Sequence, residues 1–196
     1  MQVYVFFEGD LKLKPGFEAF FRKLVPNKIQ VNGIACGNKP IDRFLASLDD
    51  YPDDLCLVLL DADKILGKDK YNNENLQAIL KTKKKLKSRV RRVSPEKIHF
   101  MVLLMESWFL TDSSALESVF GNFFKPSALP NANDIERVSK SSVWKSLENA
   151  TNNKYHKTLN APQLLSALNP EVVASRSRHC RFLIDTLTQK LQTLAQ

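Results

Sequence analysis

Acidic side chains follow three of the four apolar segments that the sequence predicts to be buried strands. Glu8 comes after the first segment, Asp61 and Asp63 after the third, and Glu106 after the fourth. The carboxyl ends of parallel strands meet at one edge of a sheet, where α/β proteins bind their ligands. We therefore expect these four acids to converge. Asp61 and Asp63 are two residues apart, which in an extended segment places both side chains on the same side.

Carboxylates gathered at one sheet edge repel one another unless a cation lies among them. Mg²⁺ prefers oxygen ligands and takes one or two carboxylates together with water and substrate phosphate, and Mn²⁺ suits the same ligands. A metal held there polarises a phosphodiester and activates a water molecule. The acids therefore predict a Mg²⁺ or Mn²⁺ site for phosphodiester chemistry. The alternative is structural, because acids after a strand also cap helices and bind backbone amides in turns.

The segments that carry these acids alternate with helical patterns. Strands are predicted over residues 3–7, 28–36, 55–60 and 98–105. The helical stretches between them place apolar residues three and four positions apart. Asn38 is expected to cap the second helix. The third covers residues 72–92. This order predicts an α/β fold, with a mainly parallel central sheet of about four strands flanked by helices.

After residue 110 the pattern changes to helices and loops. Helices are predicted over 112–120, 162–168 and 176–194, with a loop over 125–134. We expect one domain over 1–196, made of a core over 1–110 and a helical C-terminal extension over 111–196 that packs on it. His179 is expected at the surface.

The positive charge is concentrated in one short segment. The chain has 29 basic and 21 acidic residues, and eight of the basic ones lie between residues 81 and 92 with no acid among them. They are Lys81, Lys83, Lys84, Lys85, Lys87, Arg89, Arg91 and Arg92. Such a field attracts polyanions, and the absence of aromatic residues in the run favours contact with a nucleic-acid backbone over base stacking. The alternative is a solvated helix face or loop that keeps the protein soluble.

Several classes of protein are excluded by the sequence. No apolar run is long enough to span a membrane, and the N-terminus lacks the features of a secretion signal. Three cysteines far apart, Cys36, Cys56 and Cys180, are expected to be reduced core thiols, which together with the missing signal predicts a cytoplasmic protein. The sequence contains no GxSxG motif, which disfavours a serine hydrolase. It also contains no P-loop, so any ATPase involved is a separate partner.

The apolar strand ending in Glu8-Gly9 and the later strand ending in Asp61-Ala62-Asp63 resemble the Toprim domain of topoisomerases, primases and OLD (overcoming lysogenization defect) nucleases. Within that group the chain most resembles a family of small bacterial proteins that carries only a domain-of-unknown-function label. The matching stretches are FFEGD at 6–10, LVLLDADK at 57–64, MESWFLTD at 105–112 and YHKTLNAPQLLSAL at 155–168.

The resemblance implies a role for each site residue. Glu8 is similar in position to a glutamate that acts as a general acid or base or as a metal ligand, and Asp61 and Asp63 correspond to the pair that holds magnesium. Glu106 and Lys157 are implied to belong to the same site, Lys157 by countering charge on a phosphate, although a surface lysine is an equal alternative. Related nucleases often place a second acid where this chain has Lys12, and Glu18 is a candidate substitute.

These observations together predict a magnesium-dependent nuclease that cleaves nucleic acid, with DNA as the expected substrate, in bacterial defence or DNA processing. The main alternative is a non-catalytic subunit that binds nucleic acid or a partner ATPase and keeps the acids for structure. A phosphatase or nucleotidyl transferase acting on a small substrate is a third possibility, which the concentrated basic run disfavours. The oligomeric state is left open.

Overall fold

The computed structural model describes residues 1–63, 66 and 93–193, and within them it contains one four-stranded parallel sheet. The strands are β1 (Gln2–Phe7), β2 (Gln30–Ala35), β3 (Leu55–Asp61) and β4 (Ile98–Met101), in the order β2-β1-β3-β4. Helices flank the sheet and make up most of the C-terminal part. The predicted α/β fold is thus confirmed.

Eight α-helices lie in the described residues. They are α1 (Lys14–Arg22), α2 (Pro40–Ser47), α3 (Glu106–Phe109), α4 (Ser113–Phe120), α5 (Lys140–Ala150), α6 (Lys157–Ala167), α7 (Pro170–Arg176) and α8 (Arg178–Thr193). None of the helices in the described ranges has the length and apolar character needed to cross a membrane.

Helices α1 and α2 cover opposite faces of the sheet. Phe6 and Phe7 are neighbours in β1, and side chains of consecutive strand residues point to opposite faces. The ring of Phe7 packs against Phe17 of α1 at 4.5 Å between centroids, whereas the ring of Phe6 packs against Phe44 of α2 at 5.7 Å. Both faces of the central strands are therefore buried, which explains why β1 and β3 are almost continuously apolar.

Gly16 lets α6 approach α1 closely. A Cβ atom at this position would lie 2.7 Å from the carbonyl oxygen of Pro162 and equally close to the Cβ of Leu165. Only glycine permits this contact without displacing one of the two helices. Because α6 begins at Lys157, the contact also fixes where Lys157 lies relative to the strand ends.

Some element boundaries differ from those predicted. Strand β4 ends at Met101 and not at residue 105, because the chain turns there and brings the backbone N–H of Met105 back to Asp61. Asn38 is not a helix cap: α2 begins after Lys39 without a side-chain cap, since Gly37 pairs with Gly9 and holds Asn38 in the connection. The helix predicted over 72–92 lies outside the described residues.

The C-terminal part has more helix than expected. Helix α5 was not predicted, α6 begins five residues before the predicted start at Pro162, and the region from residue 170 forms two helices instead of one. His179 is buried, not at the surface, and Cys36, Cys56 and Cys180 are buried thiols as expected. Helix α8 packs against β4, and α6 packs against α1 and α4.

Candidate active site

Three of the four predicted acids come together at the carboxyl edge of the sheet. Glu8 follows β1, Asp61 ends β3, and Glu106 begins α3 shortly after β4. Burial, followed by the negative charges of Glu106 and Glu8, raises the pKa of Asp61 to about 7. This shift requires both glutamates to be close, because like charges disfavour ionisation only over short distances. The sheet topology thus assembles an acidic cluster from residues far apart in sequence.

The turn after β1 places Glu8 at this edge. The backbone N–H of Glu8 donates to the carbonyl of Leu59 at 3.2 Å, and Gly9 and Gly37 exchange backbone hydrogen bonds of 3.1 and 3.0 Å. Gly9 has a φ of +131°, and a Cβ there would lie 2.7 Å from Leu13. Glycine therefore follows Glu8 for a steric reason, because it permits the turn that positions the acid.

Glu106 is a carboxylate inside the protein, with 0% of its surface exposed. One oxygen, Oε1, accepts the hydroxyl of Tyr155 at 3.2 Å and lies 3.0 Å from the Nζ of Lys157. The other, Oε2, has no hydrogen-bond partner among the described residues. A buried charged oxygen without a partner is costly, and at a binding site it indicates where a ligand is received.

Lys157 and Asp63 differ in how they join the cluster. Lys157, at the start of α6, is half-exposed and reaches Glu106 directly, so the structure brings it to the site. Asp63 lies beyond β3 at a φ of +56°, and its side chain is 69% exposed. The extended geometry expected for residues 61–63 therefore ends at Asp61. Asp63 pairs instead with Lys140 of α5, whose Nζ donates to its Oδ1 at 2.6 Å, and this bond raises the pKa of Lys140.

Two cavities are lined by two members of the acidic cluster, Glu8 and Asp61, whereas Glu106 lines neither of them. The larger, which we call the acidic cleft, has a volume of about 310 Å³ and lies between the turn after β1 and the start of α6. The smaller, of about 200 Å³, extends towards Asp63 and α2. Glu8, Asn38 and Asp61 line both. These three residues therefore border both cavities.

The donor set fits a hard divalent cation, although the described acids do not form a ready-made cage. In the described ranges, no three His, Cys, Asp or Glu side chains form a cluster that could hold a metal ion by themselves. Mg²⁺ needs fewer, since it keeps several water ligands and uses one or two carboxylates. Asp61 has such oxygens, and so does Glu106 through Oε2, which has no hydrogen-bond partner among the described residues; Glu8 lies close to Asp61.

Sequence reasoning missed the groups that hold the acids. Tyr155 lies in the stretch that resembles the family and was overlooked because a tyrosine is not a metal ligand of the expected kind. Nothing in the sequence marks Lys140. Glu18, the candidate substitute for a second acid, is engaged elsewhere: its Oε1 accepts the backbone N–H of Gly33 at 2.9 Å. Lys12, at the position where the resemblance implies a second acid, lines the acidic cleft.

The eight basic residues predicted to bind nucleic acid, between residues 81 and 92, lie outside the described part of the chain. Their relation to the acidic cleft is therefore still a prediction from the sequence.

Comparison with known proteins identifies a family for most of the chain. The model of a family described as "Domain of unknown function (DUF4276)" matches residues 12–188. Neither the curated proteins nor the solved structures gave a match. The match spans the elements that carry Asp61, Glu106 and Lys157, whereas Glu8 lies just before it.

Proposed function

The chain belongs to the DUF4276 family, whose name assigns no reaction, and we propose from the site itself that it is a magnesium-dependent nuclease that hydrolyses phosphodiester bonds of nucleic acid. The observation that carries this proposal is the buried Glu106 carboxylate, with an oxygen left without a partner among the described residues, next to Asp61 and Glu8. Folding brings these acids together against their mutual repulsion. A divalent cation would relieve this repulsion and attract a phosphate.

Each side chain has a distinct role in this proposal. Bound Mg²⁺ would supply Lewis-acid polarisation of the phosphodiester and a more acidic water. Asp61, oriented by the backbone N–H of Met105 at 3.0 Å, and Glu106 would hold the cation. Lys157 would contact a non-bridging phosphate oxygen and Glu8 would accept the proton of the attacking water. The bond from water oxygen to phosphorus forms while the bridging P–O bond breaks, and solvent protonates the leaving oxygen.

The resemblance to Toprim domains of OLD nucleases belongs to this proposal, as does a role in bacterial defence or DNA processing with a partner ATPase. Its support is the order of the motifs along the sheet edge: Glu-Gly after β1 and Asp-x-Asp after β3. The basic run predicted from the sequence supports a polyanionic substrate.

A non-catalytic binding subunit is the second candidate, and one observation favours it. Asp63 is paired with Lys140 and Glu106 with Lys157, so part of the acidic charge is already neutralised inside the protein. In such a subunit the acids would hold α5 and α6 against the sheet edge. Whether the protein binds a divalent metal ion distinguishes the nuclease from the non-catalytic binding subunit.

The deciding experiment compares the wild type with Asp61→Asn/Asp63→Asn. We expect Mg²⁺ and Mn²⁺ to raise the melting temperature of the wild type, because a metal that binds only the folded state stabilises it by about 2.7 kcal/mol at a hundredfold excess over Kd. The double variant is expected to lose this response and to cleave a panel of DNA and RNA at least about a hundredfold more slowly.

Asp53→Asn is the matched control. Asp53 is an exposed acid just before the opposite end of the same strand, so its replacement changes the net charge without touching the cluster. It should retain both the metal response and cleavage. A wild-type protein that neither responds to metal nor cleaves would refute the nuclease proposal in favour of the binding subunit.

A further inference from the structure

The buried carboxylate of Glu106 has two donors at one oxygen and none at the other. The hydroxyl of Tyr155 donates to Oε1 at 3.2 Å, and the Nζ of Lys157 lies 3.0 Å from the same atom. Oε2 has no hydrogen-bond partner among the described residues. The last side-chain torsion of a glutamate is broad, so the plane of the carboxylate is set by its partners. The two donors at Oε1 therefore fix where Oε2 lies.

The two donors differ in charge and in their other contacts. Lys157 brings a positive charge that neutralises part of the carboxylate, and this weakens the attraction of Glu106 for another cation. Lys157 also lines the acidic cleft and has three N–H donors, so donors remain for a ligand in the cleft. The hydroxyl of Tyr155 is neutral, and in the described part of the chain it makes no other hydrogen bond. Tyr155 therefore holds the carboxylate in place without neutralising it.

The ring of Tyr155 is held independently of its hydroxyl. Its centroid lies 6.2 Å from that of Phe109 and 6.1 Å from that of Trp144 in α5. Phe109 is fully buried and ends α3, the four-residue helix that Glu106 begins. The ring and the carboxylate are thus both tied to one short helix. A phenylalanine at position 155 keeps these ring contacts and removes only the hydrogen bond to Oε1.

We propose that Tyr155 is a positioning residue for the divalent cation, because its hydroxyl holds Oε1 of Glu106 and thereby leaves Oε2 to bind the cation together with Asp61. This inference rests on the proposed function and adds to it a residue that touches neither cation nor substrate. Asp61 lines the acidic cleft and lies close to Glu106. Replacing a group that orients a metal ligand through a hydrogen bond typically weakens metal binding about 10- to 100-fold.

The test measures the affinity for Mn²⁺ with no nucleic acid present. Free Mn²⁺ is followed by electron paramagnetic resonance while the ion is titrated into the wild type, Tyr155→Phe, Glu106→Gln and the double variant. The matched control is Tyr51→Phe, which removes a hydroxyl that has no hydrogen bond in the described ranges. Tyr51 stacks on Tyr4 at 4.0 Å between ring centroids, beyond the end of β3 that lies opposite Asp61. Melting temperatures in EDTA report on stability separately.

We expect Tyr155→Phe to raise the Kd for Mn²⁺ about tenfold, whereas Tyr51→Phe should bind the ion as the wild type does. In the Glu106→Gln background the same replacement should change the Kd by less than about twofold, because the hydroxyl acts through the carboxylate. An unchanged Kd in Tyr155→Phe would overturn the inference, even if its melting temperature falls. An equal rise in both backgrounds, or in the control, would overturn it as well. The comparison of the two phenylalanine variants decides the inference even where Glu106→Gln does not fold.

These results are distinct from a failure of the proposed function. A protein that loses Mn²⁺ affinity in Tyr155→Phe but cleaves neither DNA nor RNA would refute the nuclease and uphold this inference. A protein that cleaves nucleic acid with Mn²⁺, and whose Tyr155→Phe variant binds the ion as tightly as the wild type, would uphold the nuclease and refute this inference. A wild type that binds no Mn²⁺ would overturn both.

Discussion

The carboxylate of Asp61 accepts the backbone N–H of Met105 and lies near two glutamates in a largely buried position. One hydrogen bond to a backbone amide does not offset the loss of hydration and the repulsion, so the pKa of Asp61 is raised to about 7. The folded state therefore holds the proton of Asp61 more tightly than the unfolded chain does. Ionising Asp61 therefore destabilises the folded state, and a cation bound next to the carboxylate would reduce this free-energy cost.

Asp61→Asn should stabilise the protein at neutral and alkaline pH in EDTA. Because the folded pKa lies above the unfolded one, the contribution of Asp61 to stability is present at low pH and is lost as the pH rises towards 7. The neutral amide keeps the hydrogen bond from Met105 and removes this loss. We expect a gain of roughly 1–3 kcal/mol at about pH 8 and little change at about pH 4, measured by urea unfolding.

The control for this prediction is Asp53→Asn, whose effect on unfolding should be small at both pH values because Asp53 is exposed. An Asp61→Asn protein that is less stable than the wild type at the alkaline pH would contradict the prediction, since the ionised carboxylate would then be stabilising.

The sequence predicts the position of a site residue where that residue follows a predicted strand. Glu8, Asp61 and Glu106 each follow an apolar segment, and parallel strands bring such ends together. Asp63 was wrongly expected on the same side as Asp61. Residues two apart share a side only where the backbone is extended, and Asp63 has a φ of +56°. Tyr155, in the loop before α6, and Lys140, at the start of α5, lie far along the chain from the strand ends, and no local pattern records which strand end they meet.

At the scale of elements, a buried polar cluster joins the segment around Glu136 to the junction of α7 and α8. Glu136 accepts the hydroxyl of Ser177 and the backbone N–H of His179 at 2.7 Å each, and its other oxygen lies 2.7 Å from the Nδ1 of His179. Despite burial, the hydrogen bonds and the charge interaction with His179 lower the pKa of Glu136. This carboxylate fixes the junction between α7 and α8.

Glu136→Gln should therefore destabilise the protein by about 2–4 kcal/mol near neutral pH, because buried hydrogen bonds to a charged acceptor are weakened together. A depressed folded pKa means that this stabilisation is present above the unfolded pKa and disappears as the pH falls through the folded one. The difference between variant and wild type should thus shrink in acid, as measured by thermal unfolding over a range of pH. Glu148→Gln, at an exposed glutamate of α5, should change stability little at any pH.

The elements were predicted best where hydrophobic patterning decides them. Buried strands with apolar runs, as in β1 and β3, are recognisable because both faces are covered. Helix α5 was missed because it is largely polar and presents a buried stripe of only Val143, Leu147 and Ala150. The predicted start of α6 at Pro162 was five residues late, because the helix begins at Lys157 and Pro162 lies in its middle.

At the scale of the whole molecule, local charge and net charge have different sources. Around the acids, Lys157 and Lys140 each pair with a carboxylate, so the site itself has little excess positive charge. Removing the eight cations of residues 81–92 from the 29 basic residues leaves 21, which equals the number of acidic residues. We therefore predict that any long-range attraction of a polyanion comes from that run. Placing it relative to the cleft depends on tertiary contacts, which composition does not encode.

Replacing four of the eight cations in the run tests whether the run, and not the site, attracts the polyanion. In the wild type, eight phosphate contacts predict a slope of about −6 for the logarithm of single-strand affinity against that of salt concentration. Changing the lysines at 81, 83, 84 and 85 to glutamine should reduce the slope to about −3 and weaken binding at low salt for every sequence alike. The metal-dependent rise in melting temperature should be unchanged, because the acids proposed to bind the cation are untouched. Four exposed lysines outside the cleft lining, replaced in the same way, make the control: Lys28, Lys125, Lys145 and Lys154. If both quadruple variants reduce the slope equally, the attraction depends on net charge alone and the run has no special place at the substrate.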